Sequence, residues 1–403
     1  MSNPIPFNRP YMTGRELWLI SQAHASGQLA GDGNFTKYCH TWLENHFGCA
    51  RALLTHSCTS ALEMAAILAD IQPGDEVIIP SYTFVSTANA FVLRGGVPVF
   101  VDIRPDTLNL DETLVEAAIT DRTRAIVPVH YAGVGCEMGP LQDMANQYDL
   151  LLIEDAAQGM MATANGKPLG SQGHLGCLSF HETKNIISGE GGALLVNDVR
   201  FAHRAEIIRE KGTNRSQFFR GEVDKYTWVD IGSSYLPGEV IAAFLYAQLE
   251  EARAIIATRL TLWNHYHQRL ELLEQAGKLR RPIIPDHCQH NAHMYYVLVE
   301  NLATRTDLIE HLKKHGINPV FHYVPLHSSP AGQRYGRQHG SLAHTEELSD
   351  RLLRLPLFPE LTLEQVEAIV ETIQEFYSRS QYTRERKLAR IPRTEWIGNS
   401  DVD

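Results

Sequence analysis

Short runs of apolar residues alternate with longer stretches of helical periodicity along the first half of the chain. The strand-like runs between residues 50 and 200 are RALLTH, DEVIIPS, VPVFVDI, RAIVPVHYA, LLLIEDAA, GHLGCLSF and ALLVND. Most of the segments between them, such as TSALEMAAILADI and GPLQDMANQYD, have apolar residues at helical spacing. Strands that are apolar on both faces and alternate with helices are typical of a mainly parallel sheet covered on both sides. The pattern therefore predicts an α/β domain whose functional groups lie in loops at the carboxyl ends of the strands.

The pattern changes in the second half of the chain. Residues 239–275 have the periodicity of one long helix, and NAHMYYVLVE then begins a strand–helix alternation typical of a smaller α+β domain. The segment LTLEQVEAIVETIQEFY predicts a closing helix with a capping box formed by Thr362 and Gln365. We expect three parts: a large domain over residues 1–250, a small C-terminal domain over 251–377, and a poorly ordered polar tail over 378–403.

Composition excludes several classes of protein. The 403 residues have a formal net charge of -11, so there is no general basic field to attract nucleic acid or a membrane surface. The six cysteines form no C-x-x-C pair and have no zinc-finger spacing, which is typical of reduced thiols. The N-terminal segment has no apolar core of a signal peptide, and no stretch is long and apolar enough to span a membrane. We expect a cytoplasmic protein.

Hydroxyl side chains mark the junction between the first predicted strand and the helix that follows it. Ser57, Thr59 and Ser60 lie at this point, in the segment THSCTSALEMAA. Backbone N–H groups at a helix N-terminus, together with hydroxyls, form a favourable site for a phosphate group. Serine and threonine are also ordinary N-cap residues, and this stretch alone favours that interpretation.

Acidic and aromatic residues follow two other predicted strands. Glu154 and Asp155 end the strand LLLIEDAA, with Gln158 shortly after, and a carboxylate buried there needs a cationic or hydrogen-bonding partner. A protonated pyridine nitrogen, a metal ion or an arginine would each serve. Phe84 follows the strand DEVIIPS, where it either stacks on a flat ring or belongs to the hydrophobic core.

One lysine, Lys184, lies between two predicted strands in the segment SFHETKNIISGEGG. Ser179 precedes it, and the glycines that follow would let the backbone approach a ligand closely. A lysine that acts as a nucleophile must be neutral part of the time, which burial or a nearby cation achieves. A solvated loop lysine is the alternative.

Together these groups match the needs of one cofactor. A phosphate site, a stacking ring, a carboxylate at a strand end and a lysine are the parts that hold pyridoxal phosphate. Other motifs are weaker: GVGCEMG at residues 133–139 misses the dinucleotide-binding spacing, and no Gly-Lys pair is followed by the serine or threonine of a P-loop. The 19 histidines include no H-E-x-x-H, and no G-x-S-x-G occurs, so no metal site is predicted.

The order of these motifs resembles a known family. SCTSALEMA, PGDEVIIPSYTFVSTANAFVLRGGVPVFVDI, VPVHYAG, IEDAAQ, SFHETKN, GEGG and HYVPLH match, in that order, the sugar-nucleotide aminotransferases of the DegT–StrS group. The resemblance covers nearly all of residues 5–377. It implies the aspartate-aminotransferase fold (pyridoxal-phosphate fold type I), with a mainly parallel seven-stranded sheet in the large domain. It also implies a homodimer with active sites at the subunit interface.

The resemblance implies a role for each matching position near the cofactor. Lys184 would bind pyridoxal phosphate covalently and carry protons, and Asp155 would pair with the pyridine nitrogen. Phe84 would stack on the ring, and Gln158 would lie near its 3-hydroxyl. The phosphate would be held by three hydroxyl side chains, those of Thr59, Ser60 and Ser179.

Two further segments are implied to bind the substrate, a polar loop and the small-domain segment FHYVPLH. Their candidate residues are Lys211, Asn214, Arg215, Arg220, His322, Tyr323 and His327. A solvated loop or ordinary packing explains these residues equally well. In some relatives an asparagine of the partner subunit reaches the phosphate from the segment that matches GSSYLPGE. This chain has Ser233 and Ser234 there, and its Pro237–Glu239 departs from the usual serine–acid pairing.

The implied activity is the transfer of an amino group from L-glutamate to a keto group of a dTDP-sugar. The sequence leaves open amination at the 3-keto position, or a gluco rather than a galacto 4-amine. A dehydratase branch of the family has histidine in place of the lysine, which Lys184 disfavours although His181 lies close by. The alternative outside the enzymes is a non-catalytic protein that senses sugar nucleotides.

Overall fold

The computed structural model describes the backbone of residues 4–389 and the side chains of residues 4–378. Its α-helices are α1 Glu16–Ala25, α2 Asn34–Phe47, α3 Cys58–Leu68, α4 Val85–Val92, α5 Val115–Ala118, α6 Met138–Gln147, α7 Ala202–Arg209, α8 Arg215–Phe219, α9 Glu239–Glu250, α10 Ala252–Arg269, α11 Glu271–Gln275, α12 Leu302–Lys314, α13 Pro330–Tyr335, α14 Ala343–Arg351 and α15 Leu363–Ala389. Its strands are β1 Arg51–Thr55, β2 Glu76–Pro80, β3 Val97–Val101, β4 Thr123–Ile126, β5 Leu151–Asp155, β6 Thr163–Ala164, β7 Lys167–Pro168, β8 Leu175–Ser179, β9 Gly192–Val196, β10 Leu279–Arg280, β11 Cys288–Gln289, β12 Tyr295–Val299, β13 Arg337–Gln338 and β14 Leu352–Leu355.

The central sheet has eight strands in the order β1-β9-β8-β5-β4-β2-β3-β13. Strand β9 is antiparallel to both of its neighbours, and the other pairs in the sheet are parallel. Seven strands come from the first 200 residues, which confirms the mainly parallel α/β sheet. The eighth, β13, is a two-residue strand from the C-terminal half that pairs with β3.

Both faces of this sheet are buried, as the doubly apolar strands predicted. In β9, Leu194 and Val196 belong to the hydrophobic cluster that contains α3, while Ala193 and Leu195 belong to the cluster that contains α2 and α9. Successive side chains of a strand point to opposite faces, so one apolar strand contributes to both clusters. This packing on both faces fixes the central sheet, and with it the carboxyl ends of β5 and β8 at one edge.

The stretch predicted as one helix over residues 239–275 is three helices, α9, α10 and α11, which meet at Glu251 and Leu270. The packing partners change along α10, since Ala252 and Ile255 at its start pack in the same cluster as α9. Helix α9 packs in the large-domain cluster, whereas Leu262 and Trp263 of α10 pack in the cluster of the small domain. The periodicity of apolar residues alone does not reveal that the packing partner changes along this stretch.

The small C-terminal domain has an antiparallel sheet in the order β10-β12-β14, covered by α10, α12 and α15. Helix α15 begins with the predicted capping box: the Thr362 N–H donates to Gln365 Oε1 at 3.0 Å, and the Gln365 N–H donates to Thr362 Oγ1 at 3.2 Å. The helix continues to Ala389, past the end predicted at Tyr377. The remainder of the predicted tail, residues 390–403, lies outside the described residues.

Two further sequence expectations concern cysteines and membrane spans. All six cysteines are unpaired, and all except Cys49 are buried. Among the described residues, no helix is both long enough and apolar enough to cross a bilayer.

Candidate active site

A cavity of about 740 Å³ lies at the carboxyl ends of β5 and β8, between the large and small domains. Its lining includes nearly all of the residues predicted to bind the cofactor, and two of those predicted to bind substrate: Thr59, Phe84, Asp155, Gln158, Ser179, Lys184, His322 and Tyr323. These positions are far apart in the sequence, and the crossover connections of the sheet bring them to one edge. The structure therefore gathers the predicted cofactor residues around a single space.

Lys184 lies in the turn between β8 and β9, where its backbone N–H donates to the His181 carbonyl at 2.8 Å. The next residue holds the turn against the small domain, because Asn185 Nδ2 donates to the Asn291 carbonyl at 2.7 Å. Burial lowers the pKa of Lys184 and the positive charge of Arg354 lowers it further, while Cys58 and Asp155 oppose the shift. A lysine with a lowered pKa is more often neutral, as a nucleophile or a base must be.

Asp155 ends strand β5 and is only 5% exposed. Oδ2 of its carboxylate accepts a hydrogen bond of 2.7 Å from Thr87 Oγ1, and Oδ1 accepts one of 3.1 Å from the Ala157 N–H. Thr87 in turn lies 2.8 Å from the Thr83 hydroxyl. Within residues 4–378, no lysine, arginine or histidine forms an ion pair with Asp155, so neutral donors alone orient it toward the cavity.

The N-terminus of α3, where the sequence predicted a phosphate site, closely approaches the sheet at Gly192 of β9. Ser57 is its N-cap, and its Oγ accepts a hydrogen bond of 3.1 Å from the Ser60 N–H. A Cβ at position 192 would lie 2.3 Å from the Ser57 carbonyl carbon and 2.4 Å from the Cys58 nitrogen, so only glycine fits there. Ser57 caps the helix, as one interpretation predicted, and it also lines the cavity, where its contact with a phosphate stays a prediction.

The remaining hydroxyls near α3 divide into cavity residues and supporting residues. Thr59 lines the cavity, and its Oγ1 lies 2.7 Å from the Ser86 hydroxyl, a cavity residue that the sequence did not single out. Ser60 does not line the cavity; its hydroxyl lies 3.1 Å from Ser57 Oγ. Its phosphate contact stays a prediction, and in this conformation Ser60 supports Ser57.

Gln158 is fixed by hydrogen bonds at both ends of its side-chain amide. Its Oε1 accepts from the Ala132 N–H at 2.6 Å, and its Nε2 donates to the Tyr323 hydroxyl at 2.9 Å. The Tyr323 ring stacks on His322 at 3.6 Å between centroids. This contact network joins the large domain to the small-domain segment that the sequence predicted to face the substrate.

Phe84 is 56% exposed at the wall of the cavity, so the alternative that it belongs to the hydrophobic core is wrong. It is the N-cap residue of α4 and has extended backbone angles. A large apolar ring exposed in a cavity is available to stack on a planar ligand. Its ring lies 6.2 Å from that of Tyr323, between centroids.

Five of the predicted substrate residues do not line this cavity. His327 is held by the Ser81 hydroxyl at 2.7 Å from its Nδ1. Three basic residues of the polar loop pair with carboxylates of their own chain: Lys211 and Arg215 with Glu210, and Arg220 with Glu206 and Glu222. Asn214 precedes α8 and accepts a hydrogen bond from the Thr227 N–H at 2.8 Å.

Two cavity arginines were missed by the sequence analysis. Arg259 of α10 is 3% exposed and donates to the carbonyls of Ala292 and His293, and burial lowers its pKa to about 10. Arg354 of β14 donates to the Phe321 carbonyl at 3.0 Å from Nη2, and its guanidinium lies over the Phe7 ring. No carboxylate within residues 4–378 pairs with either arginine. The signal in the sequence for Arg354 was a lone arginine inside the apolar run LLRLPLF.

Two histidines of the cavity, His293 and His322, have lowered pKa values. Burial lowers the pKa values of His293 and His322 well below the usual range, and the positive charges of Arg354 and Lys184 add to the effect. His322 Nδ1 lies 2.7 Å from the Tyr131 hydroxyl, and His293 Nδ1 lies 3.1 Å from Asn185 Oδ1. Lys184, Arg259 and Arg354 contribute positive charge to the cavity wall, which suits an anionic ligand.

The sequence profile of the DegT/DnrJ/EryC1/StrS aminotransferase family matches residues 10–374. The chain belongs to this family. The uncharacterized protein MJ1066 of Methanocaldococcus jannaschii is 34% identical over 344 residues, which cover 84% of this chain and 88% of that protein. The match confirms the family that the motifs indicated.

Solved structures of aminotransferases are also similar. The aminotransferase TlmJ from Streptoalloteichus hindustanus has a TM-score of 0.85 and 28% identity, covering 94% of this chain and 100% of that chain. The putative sugar aminotransferase Spr1654 from Streptococcus pneumoniae, solved in its PLP form, has a TM-score of 0.85 and 25% identity, covering 93% and 99%. The similarity extends over both domains, which confirms the aminotransferase fold.

The cofactor is pyridoxal phosphate, and the cavity residues of this chain fit it. The helix N-terminus with Ser57 and Thr59 offers N–H and hydroxyl donors to a phosphate, and Gly192 leaves the space for that approach. Asp155 offers an oxygen acceptor to a protonated ring nitrogen, and Lys184 offers an amine of lowered pKa to the aldehyde.

Proposed function

We propose that the protein transfers the amino group of L-glutamate to the 4-keto group of dTDP-4-dehydro-6-deoxyglucose. The products are 2-oxoglutarate and dTDP-4-amino-4,6-dideoxy-D-galactose, a precursor for surface polysaccharide such as enterobacterial common antigen. The observation that carries the proposal is the placement of Lys184 and Asp155 in one cavity with an anion-binding helix N-terminus. The sugar is supported by the similarity of segment 207–236 to the dTDP-4-amino-4,6-dideoxygalactose transaminases and by the likeness to a putative sugar aminotransferase.

Lys184 is the group that moves protons in this proposal. Bound pyridoxal phosphate supplies an electron sink that makes a proton on the donor's α-carbon removable. Lys184 Nζ, kept partly neutral by burial, accepts that proton in the first half of the reaction. In the second half it donates a proton to the sugar carbon that becomes the amine carbon. Asp155 orients the cofactor and compensates its positive ring nitrogen.

Arg354 is placed to bind the carboxylate of the amino donor. A partly buried guanidinium without a carboxylate partner in the described chain is satisfied when an anion enters the cavity. Arg354 is near enough to lower the pKa of Lys184, and the α-carboxylate of an amino acid is one bond from the carbon that Lys184 deprotonates. The diphosphate of a sugar nucleotide lies farther from its reacting carbon, because the hexose ring separates the two.

The rest of the substrate site is proposed to be completed by a second copy of the chain. Segment 207–236 exposes large aromatic side chains, including Trp228 at 79% and Phe219 at 69%. Exposed aromatic patches of this kind mark protein–protein contacts. In a homodimer this segment would bring Lys211, Asn214, Arg215 and Arg220 toward the partner's sugar nucleotide, and Ser233 or Ser234 toward the partner's phosphate. We place the activity in the cytoplasm, where sugar nucleotides are made.

The experiment is an assay of the purified, cofactor-loaded protein with L-glutamate and dTDP-4-dehydro-6-deoxyglucose, with the product assigned by NMR. We expect 2-oxoglutarate and the galacto-configured 4-amine in equal amounts. An amine at C3, or one of gluco configuration, would overturn the proposed substrate while leaving the family assignment intact. If the protein binds no pyridoxal phosphate and shows no turnover, the result would favour the alternative of a non-catalytic sensor of sugar nucleotides. The Lys184→Ala variant is the matched inactive control.

A further inference from the structure

Two histidines and a glutamate form a cluster on the small domain, outside the Lys184 cavity. His311 lies in the last turn of α12, His315 follows the end of that helix, and Glu375 lies on α15. One ligand atom of each residue lies within 4.8 Å of the others. The aminotransferase reaction does not use these residues, and they do not line the cavity.

The backbone positions of the cluster are fixed by the core beneath it. Leu308 and Leu312 of α12 pack in the same hydrophobic cluster as Ile369 and Ile373 of α15, and all four are fully buried. His311 and His315 are four residues apart, so they occupy neighbouring positions on one face of the helix end. The core therefore holds both helices in place, while the side chains above it are partly exposed at 39% for His315 and 43% for Glu375.

One hydrogen bond sets the tautomer of His315. Its Nδ1 lies 2.8 Å from the His311 carbonyl oxygen, which only accepts, so Nδ1 carries the hydrogen. In the neutral form of this ring the Nε2 atom has the lone pair that a metal ion would bind, and it lies 3.8 Å from Glu375 Oε2. A histidine that donates one ring N–H to a backbone carbonyl while the other nitrogen faces a carboxylate is arranged as metal-binding histidines are.

We propose that His311, His315 and Glu375 bind one zinc ion that links the ends of α12 and α15. Two imidazoles and a carboxylate form a ligand set that zinc takes in three-ligand sites, with water in the fourth position. Nitrogen ligands disfavour calcium and magnesium, which prefer oxygen. Tetrahedral zinc keeps its ligand atoms roughly 3.3 Å apart. Zinc binding therefore requires the three side chains to rotate from the present spacing, within 4.8 Å, to that value.

The site is tested by titrating zinc chloride into the cofactor-loaded, chelator-treated full chain and measuring the heat of binding. We expect one zinc per chain in the wild type. His315→Ala should weaken binding by at least about tenfold, since even the loss of an outer-sphere partner costs about 10- to 100-fold. His311→Ala and Glu375→Gln should weaken it as well. His287→Ala is the matched control, because His287 pairs with Glu137 at 3.3 Å outside this cluster.

Two further readouts separate a metal site from an ordinary surface ion pair. Cobalt(II) bound by the wild type should show the visible absorption of a tetrahedral complex, and His315→Ala should not. Zinc should raise the unfolding temperature of the wild type and of His287→Ala, but not that of His311→Ala or His315→Ala. Absence of zinc binding by the wild type, or equal binding by His315→Ala and the wild type, would overturn the proposal. Neither outcome depends on the activity of the enzyme.

Discussion

The hydroxyl of Thr87 donates a hydrogen bond of 2.7 Å to Oδ2 of Asp155. Thr87 is in the first turn of α4 and Asp155 is the last residue of β5, so the bond joins two separate elements at the cavity wall. This hydrogen bond restricts rotation of the Asp155 carboxylate about its Cβ–Cγ bond. Asp155 is thereby held in one orientation before any ligand arrives, as a preorganised site requires.

Replacing Thr87 by valine should therefore weaken cofactor binding while preserving the shape of the side chain. Loss of one hydrogen bond to a charged group costs about 1.5–3 kcal/mol, and we expect about a 10- to 100-fold increase in the dissociation constant for pyridoxal phosphate. The measurement is a cofactor titration followed by absorbance. Thr345→Val is the matched control, because Thr345 Oγ1 makes an equivalent 2.7 Å bond to Asp102 away from the cavity. An equal loss of cofactor affinity in both variants would show that Thr87 acts only on stability.

Arg354→Gln should raise the dissociation constant for L-glutamate by about 10- to 100-fold, since a charge-assisted hydrogen bond contributes about 1.5–3 kcal/mol. The value is read from the spectral change of the cofactor in the half-reaction with L-glutamate alone. The amine-loaded variant should still bind and convert the keto sugar nearly as the wild type does. If only the half-reaction with the keto sugar is impaired, Arg354 binds the diphosphate and not the donor carboxylate.

The lowered pKa of Lys184 has a consequence for stability. Since its folded-state pKa lies below the ordinary value of 10.5, the unfolded chain binds more protons between those two values, and stability rises with pH across that window. Lys184→Met removes the cost of burying the charge. The cofactor-free variant should therefore unfold at a higher temperature than the cofactor-free wild type at pH 7, and the difference should shrink as the pH approaches 10.5. Exposed Lys167→Met is the control, and a constant difference for Lys184→Met would contradict the account.

Glu239, the acid in the segment Pro237–Glu239, caps a distant helix with its carboxylate. It accepts hydrogen bonds from the N–H groups of Gly33, Phe35 and Thr36 at the start of α2, and from the Thr36 hydroxyl. Glu239→Gln should lower the free energy of unfolding by about 2 kcal/mol, as expected for a buried cap at a helix N-terminus. Urea denaturation measures the loss.

The control for that cap is Glu250→Gln, whose carboxylate pairs with Arg15 on the surface. Exposed ion pairs contribute about 0–1 kcal/mol, so this variant should be close to the wild type. If Glu250→Gln lowers the free energy of unfolding as much as Glu239→Gln does, burial of Glu239 is not the cause of its contribution to stability.

The parts of the molecule that the sequence predicted depend on local patterns. Strand β5 and its terminal Asp155 could be found because an apolar run followed by acidic residues is a local signal, and Lys184 could be found because its glycine-rich turn is also local. The capping box of Thr362 and Gln365 spans only four positions. Such features are encoded within one element and its neighbours.

The missed parts depend on packing between distant segments. Arg354 lines the cavity only because β14 lies beside β12 and the segment of Phe321 in the small domain. Glu239 caps a helix that lies 203 residues away at Thr36. Neither the position of Arg354 nor the cap formed by Glu239 can be predicted from the periodicity of a single segment. The polar loop around Arg220 shows the same limit, since its proposed ligand requires a second copy of the chain.

The most direct test of the account is to reduce the cofactor-loaded protein with borohydride and locate the modified residue by peptide mass spectrometry. Reduction makes the bond between pyridoxal phosphate and its lysine permanent. The account predicts that the label lies on the peptide containing Lys184, and that prior addition of L-glutamate prevents labelling because the cofactor leaves the lysine. A label on any other lysine, or labelling that L-glutamate does not diminish, would contradict the assignment of Lys184 as the residue that carries the cofactor.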